Sequence, residues 1–430
     1  MQSSPSSLFP GNLNDISSIN AICIGSGRFL RSVLVPALLG CDLKPAIIQT
    51  RGRTFMDYCK ERYKNGNVLT YEVDTVEFDG KTTTETVPCY GAGTLGTEEG
   101  KNDVCQKLLP NMDYLSVIGV GVTEAGLSSV ESKAVQDLAD ILKTCYDLMT
   151  DEENGSSNGG SDGKQRLACI NPNGKICVVC TDNIPNSGDV LKGYMIEIAK
   201  SSISNDDNNS PPNKKHRASS LSFQEFLEQK VAFLNTMVDR ITSQRDGSNG
   251  IVPRAEPVPA KALVIEDLHG DLPKAFALEK IRQKYGVVVR TQEGKLSGDI
   301  ALKLRVANGT HTAVAHLMAL TKHLMTDKLS SGSEESDLIM KFLDSFFEHQ
   351  ILLGAQQSFG LEETQAVYAD WRKRLVHPHF GLSTFFITQS GAAKGGIRIG
   401  PTVRDLIVQD EVCFHNKFFK ILTIDIDSCS

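Results

Sequence analysis

The 430-residue chain has no run of about eighteen uninterrupted apolar residues, the length that spans a bilayer, so no membrane-crossing helix is expected. It also has no basic excess. Lys and Arg number 45 against 52 Asp and Glu, which leaves a net charge of −7. Nucleic-acid binding needs a basic surface to neutralise phosphates, so that class is set aside. The opening residues MQSSPSSLFPGNLND have neither a basic start nor an apolar core, and they do not read as a secretory signal. The eleven cysteines are odd in number and scattered, which fits reduced thiols in a cytoplasmic protein. A compact metal-ligand pattern is missing as well. Cys177 and Cys180 lie in KICVVCTDN, whose β-branched residues favour a strand, where positions three apart face opposite sides. His377 and His379 in VHPHF have no acidic or thiol partner nearby in sequence. No metal is expected.

What remains is ordinary globular composition, 40% hydrophobic and 23% charged, at a length that suits two domains. AICIG (21–25) is a short apolar run, and SGRFLRSVLVPALLG behind it has helical spacing. KPAIIQT (44–50) follows at the distance of a βαβ unit. Further strands are expected within 69–78, 114–123 and 175–181, with a helix over 131–149 between the last two. Strands alternating with helices argue for an open, mainly parallel sheet.

DEENGSSNGGSDGK (151–164) and SSISNDDNNSPPNKKHRASS (201–220) are polar and nearly free of apolar residues, so both read as surface insertions. The NKKHR in the second reads as a solvated charge cluster before a nuclear-targeting patch. Strands are expected again at 262–268 and 286–291, and helices over 299–328, 337–356, 361–375 and, less clearly, 401–420. The fold class expected is α/β: a Rossmann-like doubly wound domain over 18–255, then a mainly helical domain over 256–430. The cleft between them is the default site.

GSGRFL places Gly25 and Gly27 in a G-x-G turn, with Leu30 where a third glycine would stand in the dinucleotide fingerprint. The first glycine permits a tight turn, the second lets backbone amides approach a pyrophosphate, and the helix start behind them supplies oriented N–H donors. Gly25, Ser26, Gly27, Arg28 and Phe29 are therefore cofactor candidates. A tight βα turn without a ligand is the alternative. At the end of the second strand, where an acidic residue normally holds the adenosine ribose, the chain reads Gln49, Thr50, Arg51, Gly52, Arg53. Thr50 and Arg51 join the cofactor set, and NAD and NADP both stay open.

KLRVANGTH (303–311) carries an amine, an amide and an imidazole. On an α-helix Lys303, His311 and Asn308 point at roughly 0°, 80° and 140°, one broad face. A lysine in a desolvated cleft can transfer a proton, an amide can donate to a developing alkoxide, and a histidine can orient a hydroxyl. Such a set suits the proton that accompanies hydride transfer at a carbinol carbon without a metal. Asn308 also suits a helix N-cap, His311 a buried structural role and Asn183 an Asx turn before Pro185.

The spacing K-x4-N-x2-H resembles the signature of the long-chain polyol-specific dehydrogenases, which include mannitol 2-dehydrogenase and the fructuronate and tagaturonate reductases. In the same order GSGRFLR resembles the family's G-x-G-x-F-x-R turn, VTEAG (122–126) its T-V-T-E-x-G segment and CTDNIPNSGDVL (180–191) its C-D-N-x-P-x-N-G stretch. FLNTMVDRI (233–241), VIED (264–267) and QSGAAKGGIRIGPTVRD (389–405) complete a likeness over about residues 20–408. The resemblance implies an NAD(P)-dependent oxidoreductase that interconverts a polyol or aldonate with its keto sugar. It implies Lys303 as acid/base, Asn308 and Asn183 as oxyanion partners, His311 and Lys394 as substrate ligands, and VTEAG, with Thr123 and Glu124, beside the nicotinamide. Two positions depart from the mannitol-type pattern: Phe386 stands for a substrate arginine, and Ile300, next to Asp299, for a glutamate. Arg398 and Arg374 join Lys394 as candidate partners of a substrate carboxylate. A monomer or weak dimer is expected, and a catalytically silent binder of the same fold is the alternative.

Overall fold

The computed structural model describes residues 7–10, 13–62, 68–122, 124–153, 174–182, 184–206, 221–248 and 250–408. The chain forms two compact units, Met1–Thr75 with Thr82–Leu296, and Val76–Lys81 with Ser297–Ser430. Its strands in chain order are β1 (Ser7–Leu8), β2 (Ala21–Ile24), β3 (Pro45–Gln49), β4 (Leu69–Val76), β5 (Thr82–Cys89), β6 (Gly91–Thr94) and β7 (Val117–Val120). They continue as β8 (Ile176–Cys180), β9 (Val231–Leu234), β10 (Thr236–Val238), β11 (Thr242–Gln244), β12 (Pro253–Ala255), β13 (Leu263–Glu266) and β14 (Val287–Arg290).

In the first unit the main sheet has the order β1-β6-β3-β2-β7-β8-β9, parallel from β6 to β9 with β1 antiparallel on one edge. Numbering its six parallel strands along the chain gives 3-2-1-4-5-6, the doubly wound order that reverses direction beside β2. Every residue of β2, β3, β7 and β8 is buried, because both faces of the sheet are covered. Cys177 joins the core on one face with Cys23 and Ile47, and Cys180 the core on the other with Ile24 and Ile48. The two thiols therefore point apart, as strand pleating requires. All cysteines described are free and buried.

The sequence expectation ends the first domain at 255, whereas the compact first unit runs to Leu296. The reason is hydrogen bonding: β13 pairs antiparallel with β10 and parallel with β14 in a three-stranded sheet. A four-stranded sheet, β11-β12-β4-β5, completes this unit.

The helix Lys133–Glu153 and the helix Ser187–Asp206 extend into the first positions of the two polar insertions. The remainder, 154–164 and 207–220 with the NKKHR cluster, lies outside the described residues. Among the described residues no helix is long and apolar enough to cross a membrane.

The second unit is helical, with main helices Gly309–Leu320, Glu334–Phe346, Leu352–Phe359, Leu361–Leu375 and Gly400–Val408. The last reaches only part of the helix expected over 401–420, whose end lies beyond the described residues. The hairpin tip Val76–Lys81 also belongs here. His377 is fully buried, with its ring 4.4 Å from that of Phe78. Its Nε2 donates to the Val76 carbonyl at 3.2 Å, and its Nδ1 accepts from the His379 amide at 3.2 Å. Both ring nitrogens are thus committed to backbone.

Candidate active site

The phosphate turn follows from how closely two strand exits approach. Gly25 has φ +89°, and a Cβ there would lie 2.5 Å from the Gly121 carbonyl oxygen. On Gly27 it would lie 2.7 Å from the same atom. Only glycine lets the turn rest against the exit of β7. A helix then starts at Arg28, continues as a π-turn over Leu30–Leu34 and ends at Gly40. Arg31 is buried within it, and its guanidinium donates to the carbonyls of Ser26 (2.9 Å), Gly250 (3.2 Å) and Ile251. Burial lowers its pKa to about 10. Arg31 therefore braces the turn from behind, while Arg28 stands exposed at the helix start.

A cavity of about 420 Å³ opens beside the turn. Ser26, Gly27, Arg28 and Phe29 form one wall, and Gly121, Val122, Thr181 and Asp182 line the exits of β7 and β8. Arg240, Thr242 and Gln244 close it from the segment after β10, a wall that sequence reasoning missed because it is built by a non-local strand pairing. Glycines that admit no Cβ, a helix start and an exposed guanidinium fit a dinucleotide pyrophosphate.

Val120 and Cys180 are register partners on β7 and β8, so positions 123 and 183 each stand three residues past paired strand ends. Thr123 and Asn183 themselves lie outside the described residues, as does the side chain of Glu124. The β8 exit is anchored all the same. The Asn235 side chain accepts from the amides of Gly188 (3.0 Å) and Asp189 (3.2 Å) and donates to the Asp189 carboxylate at 2.9 Å. It thereby caps the helix Ser187–Asp206 from a distant segment. Asn235→Ala is expected to cost about 1–2 kcal/mol of stability, as loss of a cap does, readable by urea unfolding of the full chain.

The helix Lys295–Lys303, which belongs to the second unit from Ser297 on, passes into a π-turn, Leu304–Asn308, and then into the helix Gly309–Leu320. The sequence reading assumed uniform α-helix. A π-turn closes i→i+5 bonds and recurs at functional sites. Lys303 and Asn308 stand at the two ends of this turn. Asn308 has helical φ −75° and ψ −29° and makes no side-chain capping bond, so the N-cap alternative fails. Its carbonyl accepts from Thr312 Oγ1 at 2.7 Å, and that hydroxyl accepts from Arg398 at 2.8 Å. Lys303 is half-buried, and Asp299, one turn earlier, is buried.

His311 is buried, with its ring 5.3 Å from that of Trp371. Its Nε2 has no hydrogen-bond partner among the described residues. Burial, then the charges of Arg398 and Lys394, lower its pKa to about 3. It is therefore a neutral imidazole at working pH. The folded value lies below the unfolded ~6.5, so the unfolded state binds the proton first as pH falls. The stability tied to neutral His311 is complete above pH ~6.5 and is lost progressively as pH falls toward about 3. His311→Gln is expected to flatten the pH dependence of unfolding free energy in that window, and an unchanged slope would refute the assignment.

The other cations are placed less openly. Lys394 donates to the Phe386 and Ile387 carbonyls at 3.1 and 3.0 Å, closing the short helix Thr384–Thr388. Arg374 is buried against Trp371 and lies 3.4 Å from Asp370. Arg398 is the cation bonded next to His311. Trp371, the chain's single tryptophan, was missed because its helix lies far from His311 in sequence.

This fold has solved counterparts. A D-sorbitol dehydrogenase in substrate-free form matches it with a TM-score of 0.64 at 16% identity, over 93% of this chain and 78% of that one. A Pseudomonas fluorescens mannitol 2-dehydrogenase, solved as a ternary complex with NAD and D-mannitol, gives 0.58 at 14%, over 93% and 77%. Compared by sequence, the chain matches no protein-family profile and no curated protein. At these identities the likeness is one of fold, and the chain has the fold of the polyol dehydrogenases.

Proposed function

We propose that the chain belongs to the polyol dehydrogenase family and is an NAD(P)-dependent oxidoreductase acting on a secondary alcohol of an acyclic polyol or aldonate, or on the matching keto sugar. The observation that carries the proposal is the segment from Lys303 to His311: an amine and an amide at the two ends of a π-turn, followed by a neutral buried imidazole whose Nε2 has no partner among the described residues. The fold and the ordered motifs support the same class.

The first unit would hold the dinucleotide on Gly25–Phe29, and Thr123 and Glu124 would border its nicotinamide, which supplies a hydride acceptor or donor when bound. In oxidation the neutral Lys303 amine takes the proton of the carbinol hydroxyl. The amides of Asn308 and Asn183 donate to the oxygen as it gains charge. In reduction the Lys303 ammonium returns the proton. His311 Nε2 pairs with a neighbouring hydroxyl, and Lys394, with one N–H beyond its two carbonyl bonds, contacts the substrate together with Arg398.

The test is a matrix of both dinucleotides against mannitol, arabinitol, fructuronate and tagaturonate, followed at the nicotinamide absorbance. Turnover with at least one pair is expected. Dinucleotide binding without turnover across a wide panel would leave a silent binder instead.

A further inference from the structure

We propose that the dinucleotide this chain selects is the 2′-phosphorylated one, and that Arg51 reads the added phosphate with Arg53 as the second cation. The inference rests on the cofactor assignment above and sharpens it.

The adenosine ribose is read just past the end of β3. There the Gln49 carboxamide is already used. Its oxygen accepts from the Phe55 and Met56 amides at 3.0 and 3.1 Å, which caps the helix Thr54–Arg62, so it cannot stand in for a ribose-binding carboxylate. The next residues are pinned from the β6 side. Thr94 Oγ1 donates to the Gly52 carbonyl at 2.8 Å, and a Cβ on Gly96 would lie 3.4 Å from the Gly52 amide and 3.5 Å from Arg51 Cα. Gly52 takes φ +65°. On this braced turn Arg51 is exposed, and its guanidinium makes no hydrogen bond or ion pair among the described residues. Arg53 leans toward Asp57 at 3.4 Å.

No carboxylate occurs from 49 to 53. Asp57 already faces Arg53, and Glu98 and Glu99 occupy the first turn of the helix Glu98–Asn102, which Thr97 caps. A ribose diol thus meets no carboxylate within the turn itself, whereas a dianionic phosphate meets the exposed Arg51 guanidinium, a fork suited to bidentate contact, with Arg53 adding a second positive charge that it shares with Asp57.

The test is calorimetric titration of the full chain, without substrate, with NADPH and with NADH. NADPH is expected to bind at least about tenfold tighter, the scale of a charge-assisted pair. Adenosine 2′,5′-bisphosphate should displace it better than AMP does. Arg51→Ala should weaken NADPH binding more than NADH binding and so shrink the preference, and replacing Arg53 by alanine as well should erase it. NADH binding as tightly as NADPH, or a preference undiminished in Arg51→Ala, would overturn this inference and leave the dehydrogenase proposal intact. If neither dinucleotide bound, both would fall.

Discussion

Replacing Lys303 with alanine is expected to lower turnover by about a hundred- to ten-thousandfold at neutral pH, the usual loss when a positioned proton-transfer group is removed. Dinucleotide affinity should stay unchanged, because the glycine turn belongs to the other compact unit. Alanine suits a helix, and Lys303 is only half-buried, so folding should survive. Lys303→Arg separates charge from proton transfer. The guanidinium keeps a cation but cannot deprotonate, so it too should be inactive. Added small amines should restore part of the rate in the alanine variant. A Lys303→Ala chain that turned over normally, or an arginine variant that worked, would remove the proposed acid/base. Asn308→Ala should cost about a hundred- to thousandfold in kcat, as loss of one oxyanion donor does.

Gly25→Ala should abolish measurable dinucleotide binding. The methyl group would sit 2.5 Å from the Gly121 oxygen and 2.9 Å from Val122 Cγ1, at a φ of +89° that alanine avoids. Neither neighbour can yield cheaply, because one is backbone at the exit of a buried strand. The turn must move, and the amides that face the pyrophosphate move with it. A stability loss of about 1–3 kcal/mol should accompany this, the scale of enforced backbone strain. Gly52→Ala is the control. Its φ is also positive, at +65°, but a Cβ there meets nothing within 4 Å. It should show only the conformational cost of about 1–2 kcal/mol. Calorimetry beside thermal unfolding would distinguish the two variants, and a Gly25→Ala chain that bound dinucleotide normally would contradict the cradle.

The parts of the fold that were legible are those whose burial leaves a mark in composition. AICI, AIIQ and ICVVC are covered on both faces and so appear as unbroken apolar runs. Strand β6, GAGT, was not legible although it is fully buried. A Cβ on Gly91 would come within 2.9 Å of the Phe9 ring, so the strand gives up side chains to let an aromatic cross it. The end of the first unit was hidden because β14 depends on pairing with β13 and not on a composition change. At the site, the order of Lys303, Asn308 and His311 was visible, but the π-turn was not, since i→i+5 bonding has no residue signature. The Lys394 contacts with two carbonyls and the tilted contact of Trp371 with His311 depend on helix placement, which no local spacing encodes.

The most direct test of the account is a single-turnover experiment with the full chain and the dinucleotide it binds, mixed with a polyol deuterated at the carbinol carbon. The account predicts a reduced nicotinamide carrying that deuterium, formed in the parent chain and reduced by orders of magnitude in Lys303→Ala. Bound dinucleotide that never receives label from any acyclic polyol, nor gives hydride to any keto sugar, would contradict it.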